Sequence, residues 1–485
     1  MSDQVFSQKI GATITAICLT AFSCNLIKVL NSRDSVQVTE SQDFISTEVI
    51  KERINQDEIG TETVPQTGEL EQHALLTDLS ENLVNPDEFE YLGAFRLPPS
   101  SDELGWGYSG YAMTYYPQGD PQGENDGFPG SLYVLGHDHT QTIAEISIPT
   151  PVISQLKNPV DLPFASMLQP FYDIRGDMYP YLEIPRAGLA YLPPHGDQTS
   201  GKLYFCWGQH FQFEPEASHG WSELDLSEPE SKGPWHIGSY TNYVTNDYMF
   251  EIPQAWSDSF TPGLKLATGR FRDGGWGGLG PTLLAIGPYN EGNPPGPGSA
   301  LRQVTPLLMY GVPIPGDPSL DISAGHQIAG YSHADEWSGG AWVTSGDRSA
   351  MILVGTKAMG NTWYGFSNGV VYPISGDPNE EYPEVPPWPH DDRGWWSDGI
   401  SAQIIFFDPL ELGAVALGEM DTWEPQPYAT LTLDDFLFDP GFDFEGGKRY
   451  LLGASAFDRQ NKLVYIVERL ADEDDRSLIH VFRVN

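Results

Sequence analysis

Positive charge is scarce in this sequence. Lys and Arg number 25 against 67 Asp and Glu, a formal net charge of −42. A chain this acidic repels phosphate backbones, which excludes general nucleic-acid binding. An anionic membrane surface repels it in the same way. Cysteine is scarcer still. Of the three, Cys18 and Cys24 fall in an N-terminal apolar segment, so Cys206 stands alone in the body and an internal disulfide there is excluded. Within Leu203-Tyr-Phe-Cys-Trp207, the expected role of Cys206 is a small buried apolar residue rather than a catalytic thiol. Long stretches of 3.6-residue periodicity are also missing. The 51 Gly and 40 Pro make almost a fifth of the chain and work against a mainly helical fold.

What remains is rich in aromatics. The chain has 13 Trp, 23 Tyr and 23 Phe, and 40% of it is hydrophobic. Acidic disorder requires low hydrophobicity as well as high charge, so a folded body with an acidic surface is expected. Such a surface suits a salty medium, where screening relieves self-repulsion.

The N-terminus reads as an address. Ile10 to Ile27 is an uncharged apolar run between Lys9 and Lys28, long enough for a signal segment and marginal for a membrane span. Cys24 follows Ala-Phe-Ser in a loose likeness to a lipoprotein cleavage box. Residues 1–30 are therefore expected to direct export, to the periplasm, the cell surface or the medium. Residues 31–88 are polar and acidic with almost no aromatics, the composition of a disordered tether. No other membrane association is expected, and the body is expected to be monomeric.

From Phe89 onward short apolar runs alternate with Gly, Pro, Asn and Asp turns. Several runs are alike. Gly110–Tyr115 leads to Ser131–Gly136 and then to Ile143–Ile148. Gly188–Leu192 leads to Lys202–Cys206, and Gly339–Val343 to Met351–Gly355. Gly453–Phe457 leads to Lys462–Ile466 and on to Leu478–Phe482. Thr282–Ile286 and Gln403–Phe407 are weaker copies. Repeated β units imply radial repetition, so residues 89–485 are expected to form one all-β propeller of six to eight blades. Small residues in each first strand suit a crowded axis, and Glu90–Phe95 can complete the last blade. A pair of β-sandwiches explains the repeats less well.

Aligning the units points at a site. Superposing Tyr133, Tyr204, Leu353 and Tyr465 brings His137, Gly208, Lys357 and Arg469 to equivalent positions four residues further on. His139 and His210 follow two residues later. In a chain poor in cations this is a pattern, although strand ends take polar residues in any fold. Leu266–Pro281 is a glycine-rich loop carrying Arg270, Arg272 and Trp276. Guanidinium groups grip carboxylate or sulfate, and an indole stacks on a sugar face, so the loop suits an anionic sugar, or else packs tightly as structure. No Gly-Lys-Ser/Thr ending supports a phosphate loop. His219, and His333 with Trp337, lie beside aromatics in expected loops. His137 and His139, two apart on a strand with Asp138 between them, could approach a metal, but no third ligand pattern accompanies them, and no metal is assigned. Asp120, Glu124, Asn125 and Asp126 make an acidic turn where structural calcium can be imagined. No other cofactor is expected.

Tyr91-Leu-Gly-Ala-Phe-Arg-Leu-Pro98, Leu135-Gly-His-Asp138, Ala144-Glu-Ile-Ser-Ile-Pro149 and Ile479-His-Val-Phe-Arg-Val484 resemble exported bacterial β-propeller proteins. The nearest functional group is the propeller-type ulvan lyases of marine bacteria. The resemblance covers about residues 89–485 and its motifs are mostly structural. It implies seven blades and β-elimination of a uronate-containing sulfated polysaccharide, with histidines, a tyrosine and an arginine in a cleft. His137 is the position that carries over. Where such proteins offer Tyr and Arg, this chain has His210 and Trp221.

The resulting expectation is an exported lyase acting on an anionic polysaccharide. β-Elimination needs a cation to neutralise the uronate, a base for the C5 proton and an acid for the leaving oxygen. Arg270 or Arg272 is the expected neutraliser with Lys357 in support. His137 or His210 is the base, and a tyrosine or His219 the acid. Trp276, Trp337 and His139 would contact sugar. A non-catalytic glycan-binding or interaction propeller explains the same residues, and paired carboxylates leave a hydrolase open.

Overall fold

The second strand of a sheet here is apolar without a break, and that dictates how the sheets pack. In Leu132-Tyr-Val-Leu135 every residue is buried. Leu132 and Val134 join the apolar cluster on one side of the sheet, Tyr133 and Leu135 the cluster on the other. Met351-Ile-Leu-Val354 divides in the same way. Successive side chains point to opposite faces of a strand, so an unbroken apolar run needs cover on both. Sheets stacked face to face around an axis supply it.

The computed structural model describes residues 82–485, apart from 101–104, 122, 124–126, 183–184, 197, 211–214, 272–277, 288–293, 314–319, 375–378 and 442–449. The expected export segment at 1–30, with Cys18 and Cys24, and most of the expected tether lie outside the described residues. Among those described, no helix is long and apolar enough to cross a membrane.

The sheets form a five-bladed β-propeller. β1 (Phe89–Arg96) pairs far along the chain, as described below. The first blade is β2 (Met113–Tyr116), β3 (Gly127–Leu135), β4 (Ile143–Pro149) and β5 (Met167–Tyr172). The second is β6 (Pro185–Leu192), β7 (Lys202–Gln209), β8 (His219–Ser222) and β9 (Lys232–Ile237). The third is β10 (Tyr248–Glu251), β11 (Leu266–Gly269) and β12 (Leu283–Ile286), completed by β14 (Thr305–Leu308) after β13 (Ala300–Leu301) has run back parallel to β9. A small ribbon, β15 (Val312–Pro313) with β16 (Leu320–Asp321), precedes the fourth blade. That blade is β17 (Glu336–Ser345), β18 (Arg348–Phe366), β19 (Arg393–Phe407) and β20 (Ala429–Thr432). The fifth is β21 (Leu452–Asp458), β22 (Leu463–Asp472) and β23 (Arg476–Val484), with β1 as its outer strand. Phe95 pairs with Ile479 and Ala94 with His480, so β1 closes the ring as its sequence suggests. Five apolar clusters fill the five junctions between neighbouring blades.

Five blades correct the expected six to eight, and the seven that the resemblance implies. Thr282–Ile286 contains β12, the third strand of a blade whose first two strands lack the repeated pattern. Gln403–Phe407 is the end of β19, the third strand of a blade already counted through Gly339–Val343. Third strands, covered on both faces like second strands, are just as apolar.

The innermost strands crowd the axis, where the open space amounts to about 10 Å³. Glycine is needed at Gly453, where an added Cβ would lie 2.1 Å from the Gly110 carbonyl oxygen. That neighbour is backbone, and Ala454 N–H already donates to it at 2.8 Å. Gly453→Ala is expected to cost about 1–3 kcal/mol, the usual penalty of overpacking. Urea unfolding measures it, and an unchanged midpoint would show that the axis can relax.

Candidate functional site

Antiparallel pairing sets the end of each second strand beside the start of the first. Met113 faces Val134, Pro185 faces Gln209, Tyr248 faces Gly269, Glu336 faces Thr356 and Leu452 faces Glu468. His137, His210, Arg270, Lys357 and Arg469 therefore lie at one mouth of the propeller, each contributed by a different blade.

At the centre of this mouth is a buried charged hub. Arg186, at the start of β6, grips Glu336 of β17 with both terminal nitrogens, at 2.8 and 3.3 Å, and approaches Asp247 at 3.7 Å. Arg186 also lies over the rings of Phe271 and Tyr111, at 4.6 and 5.6 Å. Arg469 donates to the Tyr111 hydroxyl at 2.7 Å and covers the same ring at 4.1 Å. Burial pushes the Glu336 carboxyl up, but Arg186, with help from Arg469 and Ser338, outweighs it and holds the group below the ordinary carboxylate range. Arg270 has no exposed surface. Its guanidinium donates to the carbonyls of Asn242, Asn246 and His210 and, at 2.7 Å, to His210 Nδ1. A guanidinium can only donate, so the neutral imidazole of His210 carries its proton on Nε2. Arg186 thus joins Asp247 and Glu336 in one hub, with Arg469 beside it and Arg270 bound to His210 next to it. Lys357, partly exposed at the rim, pairs with Asp335 at 2.7 Å. Burial raises the Asp335 carboxyl while Lys357 opposes the rise.

A second group sits between the first and fifth blades. His137 is 5% exposed, and its Nδ1 lies 2.9 Å from Asp138 Oδ1 and 3.0 Å from the backbone nitrogen of His139. The second contact is a hydrogen bond that Nδ1 accepts, whereas no hydrogen bond reaches Asp138 Oδ1 among the described residues. The His139 ring, exposed, stands 5.0 Å from that of His137. Across the imidazole lies Tyr108, edge to face at 5.6 Å and 45% exposed. Its phenol is held above the ordinary range by partial burial and by Asp475, which accepts from it. The backbone around this pair is strained. Among the described residues eight non-glycine residues have positive φ, and Tyr108, Gln141, Asp474 and Asp475 are four of them. Gln141 N–H donates to the His137 carbonyl, and Tyr108 N–H to that of Asp475. Such conformations cost energy and collect where a fold over-determines them for a purpose. A cleft of about 490 Å³ opens alongside, lined by Asp173, Ile174, Arg175, Met178, Ser231 and Pro234. Arg175 ties it to the His137 loop through the Thr140 carbonyl and the Gln141 side chain.

Other expected site residues fall elsewhere. His219 is fully buried between Ser218 and Thr268, and burial pushes its pKa down to about 3. It stays neutral and supplies no proton to a substrate. Trp337 is 2% exposed and packs in the core between the third and fourth blades, so it offers no sugar platform. Arg270 is as inaccessible, its two terminal nitrogens engaged inside the fold. Cys206 is buried, and burial raises its thiol pKa, which removes it as a nucleophile. His333 stacks on Trp395 at 4.2 Å. Arg272, Trp276 and the acidic turn at Glu124, Asn125 and Asp126 lie outside the described residues.

Sequence reasoning missed Tyr108, Arg186, Asp247 and Glu336. A signal existed for Arg186 and Glu336, a charged residue at the start of a small-residue strand, as in Pro185-Arg-Ala-Gly188 and Glu336-Trp-Ser-Gly339, whereas Asp247 precedes Tyr248-Met-Phe-Glu251, which lacks that pattern. The sequence also holds a Gly-x-Ser-x-Gly spacing at Gly365-Phe-Ser-Asn-Gly369, and Ser367 Oγ lies 2.6 Å from His390 Nδ1. Ser367 is 3% exposed in a turn after β18, with no helix following it, so it is not the exposed strand-to-helix nucleophile of an α/β-hydrolase.

The fold and site define a five-bladed propeller with a buried charged hub at one mouth and, at its rim, a Tyr108–His137 pair in which Tyr108 has positive φ. No protein-family model matches the chain, and no curated protein matches it.

Proposed function

We propose that this propeller is an exported polysaccharide lyase that cleaves a uronate-bearing anionic polysaccharide by β-elimination. One observation carries the reading: a solvent-facing phenol, Tyr108, set on strained backbone against the imidazole of His137. In the tautomer that carries its proton on Nδ1, His137 is the base for the C5 proton through Nε2. Tyr108, kept protonated by its raised pKa, is the acid for the leaving oxygen. Lys357, partly exposed at the rim, attracts the uronate. His210, with its proton on Nε2, can donate to a sugar oxygen. Arg272 and Trp276 keep their expected roles as loop contacts.

The carboxylates of the hub do not favour a hydrolase. Asp247 and Glu336 both serve Arg186, and Glu336 is held below the ordinary carboxylate range, which does not suit a general acid. The internal pairing of the arginines does favour a second reading, a propeller that binds an anionic glycan without cleaving it.

Incubating the full chain with ulvan and a panel of other uronans is expected to produce the ultraviolet absorbance of an unsaturated uronate. Tyr108→Phe and His137→Ala should each lower kcat by about a hundredfold or more, the usual scale of a lost acid or base, with the urea midpoint unmoved. Glycan binding with no absorbance rise, and no effect of His137→Ala on that binding, would establish the second reading. A folded protein that neither cleaves nor binds any member of the panel defeats both.

A further inference from the structure

His137, Asp138 and His139 offer two imidazole nitrogens and a carboxylate oxygen, all within 4.8 Å of one another. The carboxylate is the informative group. Asp138 Oδ1 is shielded from solvent, and no hydrogen bond reaches it among the described residues. The polar atom beside it is His137 Nδ1 at 2.9 Å, which accepts from the His139 backbone N–H at 3.0 Å. A lone pair and an unsatisfied anionic oxygen in such contact call for a positive charge between them. Burying an unpaired anionic oxygen is costly.

We propose that His137, Asp138 and His139 form a site for a divalent cation of the zinc class. Two nitrogen donors and one oxygen suit zinc, cobalt or nickel, whereas calcium and magnesium require shells of oxygen that a single carboxylate does not begin to fill. Tetrahedral zinc with bonds of about 2 Å sets its ligand atoms about 3.3 Å apart. The cluster reaches that spacing by a turn of the exposed ring of His139 toward the buried ring of His137. Three protein ligands leave a fourth position for water or a substrate oxygen. Loading Nδ1 displaces the bond from His139 N–H and leaves the His137 proton on Nε2, so a loaded site cannot use His137 as a base. That consequence, unlike the binding itself, rests on the lyase reading: added zinc would then inhibit and a chelator would restore activity.

The test is calorimetric titration of the chelator-treated full chain with zinc chloride, in excess calcium chloride to occupy the many exposed carboxylates. One equivalent is expected to bind with Kd near or below micromolar. Cobalt(II) in its place should give visible absorption of tetrahedral intensity. The His139→Ala and Asp138→Ala variants, which alter exposed or half-exposed side chains, should each weaken binding at least tenfold, and the His137→Ala/His139→Ala double variant at least a hundredfold. Absence of a stoichiometric isotherm, or an isotherm that these variants leave unchanged, overturns the proposal. Zinc binding in a protein inactive on every uronan would uphold the site and refute the lyase reading, while activity without zinc binding would do the reverse.

Discussion

Glu336→Gln is expected to destabilise the propeller by about 3–5 kcal/mol, the usual cost of leaving one member of a buried ion pair alone. Both carboxylate oxygens of Glu336 are engaged by Arg186, one of them also accepting from Ser338 Oγ at 3.0 Å, and the side chain is wholly buried. The amide keeps the shape but removes the charge. Asp247, 3.7 Å from the guanidinium, is then the remaining carboxylate against Arg186 among the described residues. The hub also joins blades that are distant in sequence, since Arg186, Asp247 and Glu336 come from the second, third and fourth. Losing it should loosen the ring as a whole, so the urea transition should move as one step. A double variant, Arg186→Met with Glu336→Leu, is expected to recover much of the loss, because apolar replacements leave no buried charge unpaired. If Glu336→Gln unfolds within about 1 kcal/mol of the parent, a value typical of exposed pairs, the hub contributes little to folding.

That hub also shows where a sequence can be read and where it cannot. Strand ends were legible. His137, Lys357 and Arg469 align because the second strands of their blades begin with the same apolar pattern, and pairing register then carries them to the same height. Ring closure by β1 was legible for a related reason, since Tyr91–Phe95 and Leu478–Phe482 are both strand-like runs left over at the ends of the repeat series. Blade number was not. In a propeller the second and third strands are covered on both faces, so Met351–Val354 and Ile404–Phe407 look alike and hydropathy cannot rank them. The pairing of Arg186 with Glu336 spans 150 residues, and nothing local in either segment names the other. Tyr108 reaches His137 only because the turn between β22 and β23 supports it: Tyr108 N–H binds the Asp475 carbonyl, and Gly107 pairs with Arg476. Those are tertiary facts, and residue type near residue type did not carry them.

Acid should act on this protein through His219. Burial lowers its pKa from 6.5 to about 3. Thr268 Oγ1 donates to the Thr245 carbonyl at 2.7 Å, so it accepts from His219 Nε2–H at 2.9 Å, and His219 Nδ1 accepts from the Ser218 hydroxyl. Both ring nitrogens are satisfied in the neutral form, and burial disfavours the second proton. Between pH 6.5 and 3 the unfolded chain binds this proton and the folded chain does not, so stability falls as pH falls across that window. The whole effect is about 5 kcal/mol at roughly 1.4 kcal/mol per pH unit. The large negative charge pulls the other way, because protonating surface carboxylates relieves repulsion as pH falls. The signal is therefore a difference. Between pH 7 and 4.5 the parent should lose about 3 kcal/mol relative to His219→Gln, two pH units of one proton. The glutamine variant starts lower at neutral pH through imperfect replacement of the two hydrogen bonds, and the two stability curves should converge on acidification. Parallel curves would mean that His219 is charged in the fold, and with it that the wall between Ser218 and Thr268 admits water, which would return His219 to the residues able to exchange protons with a bound sugar.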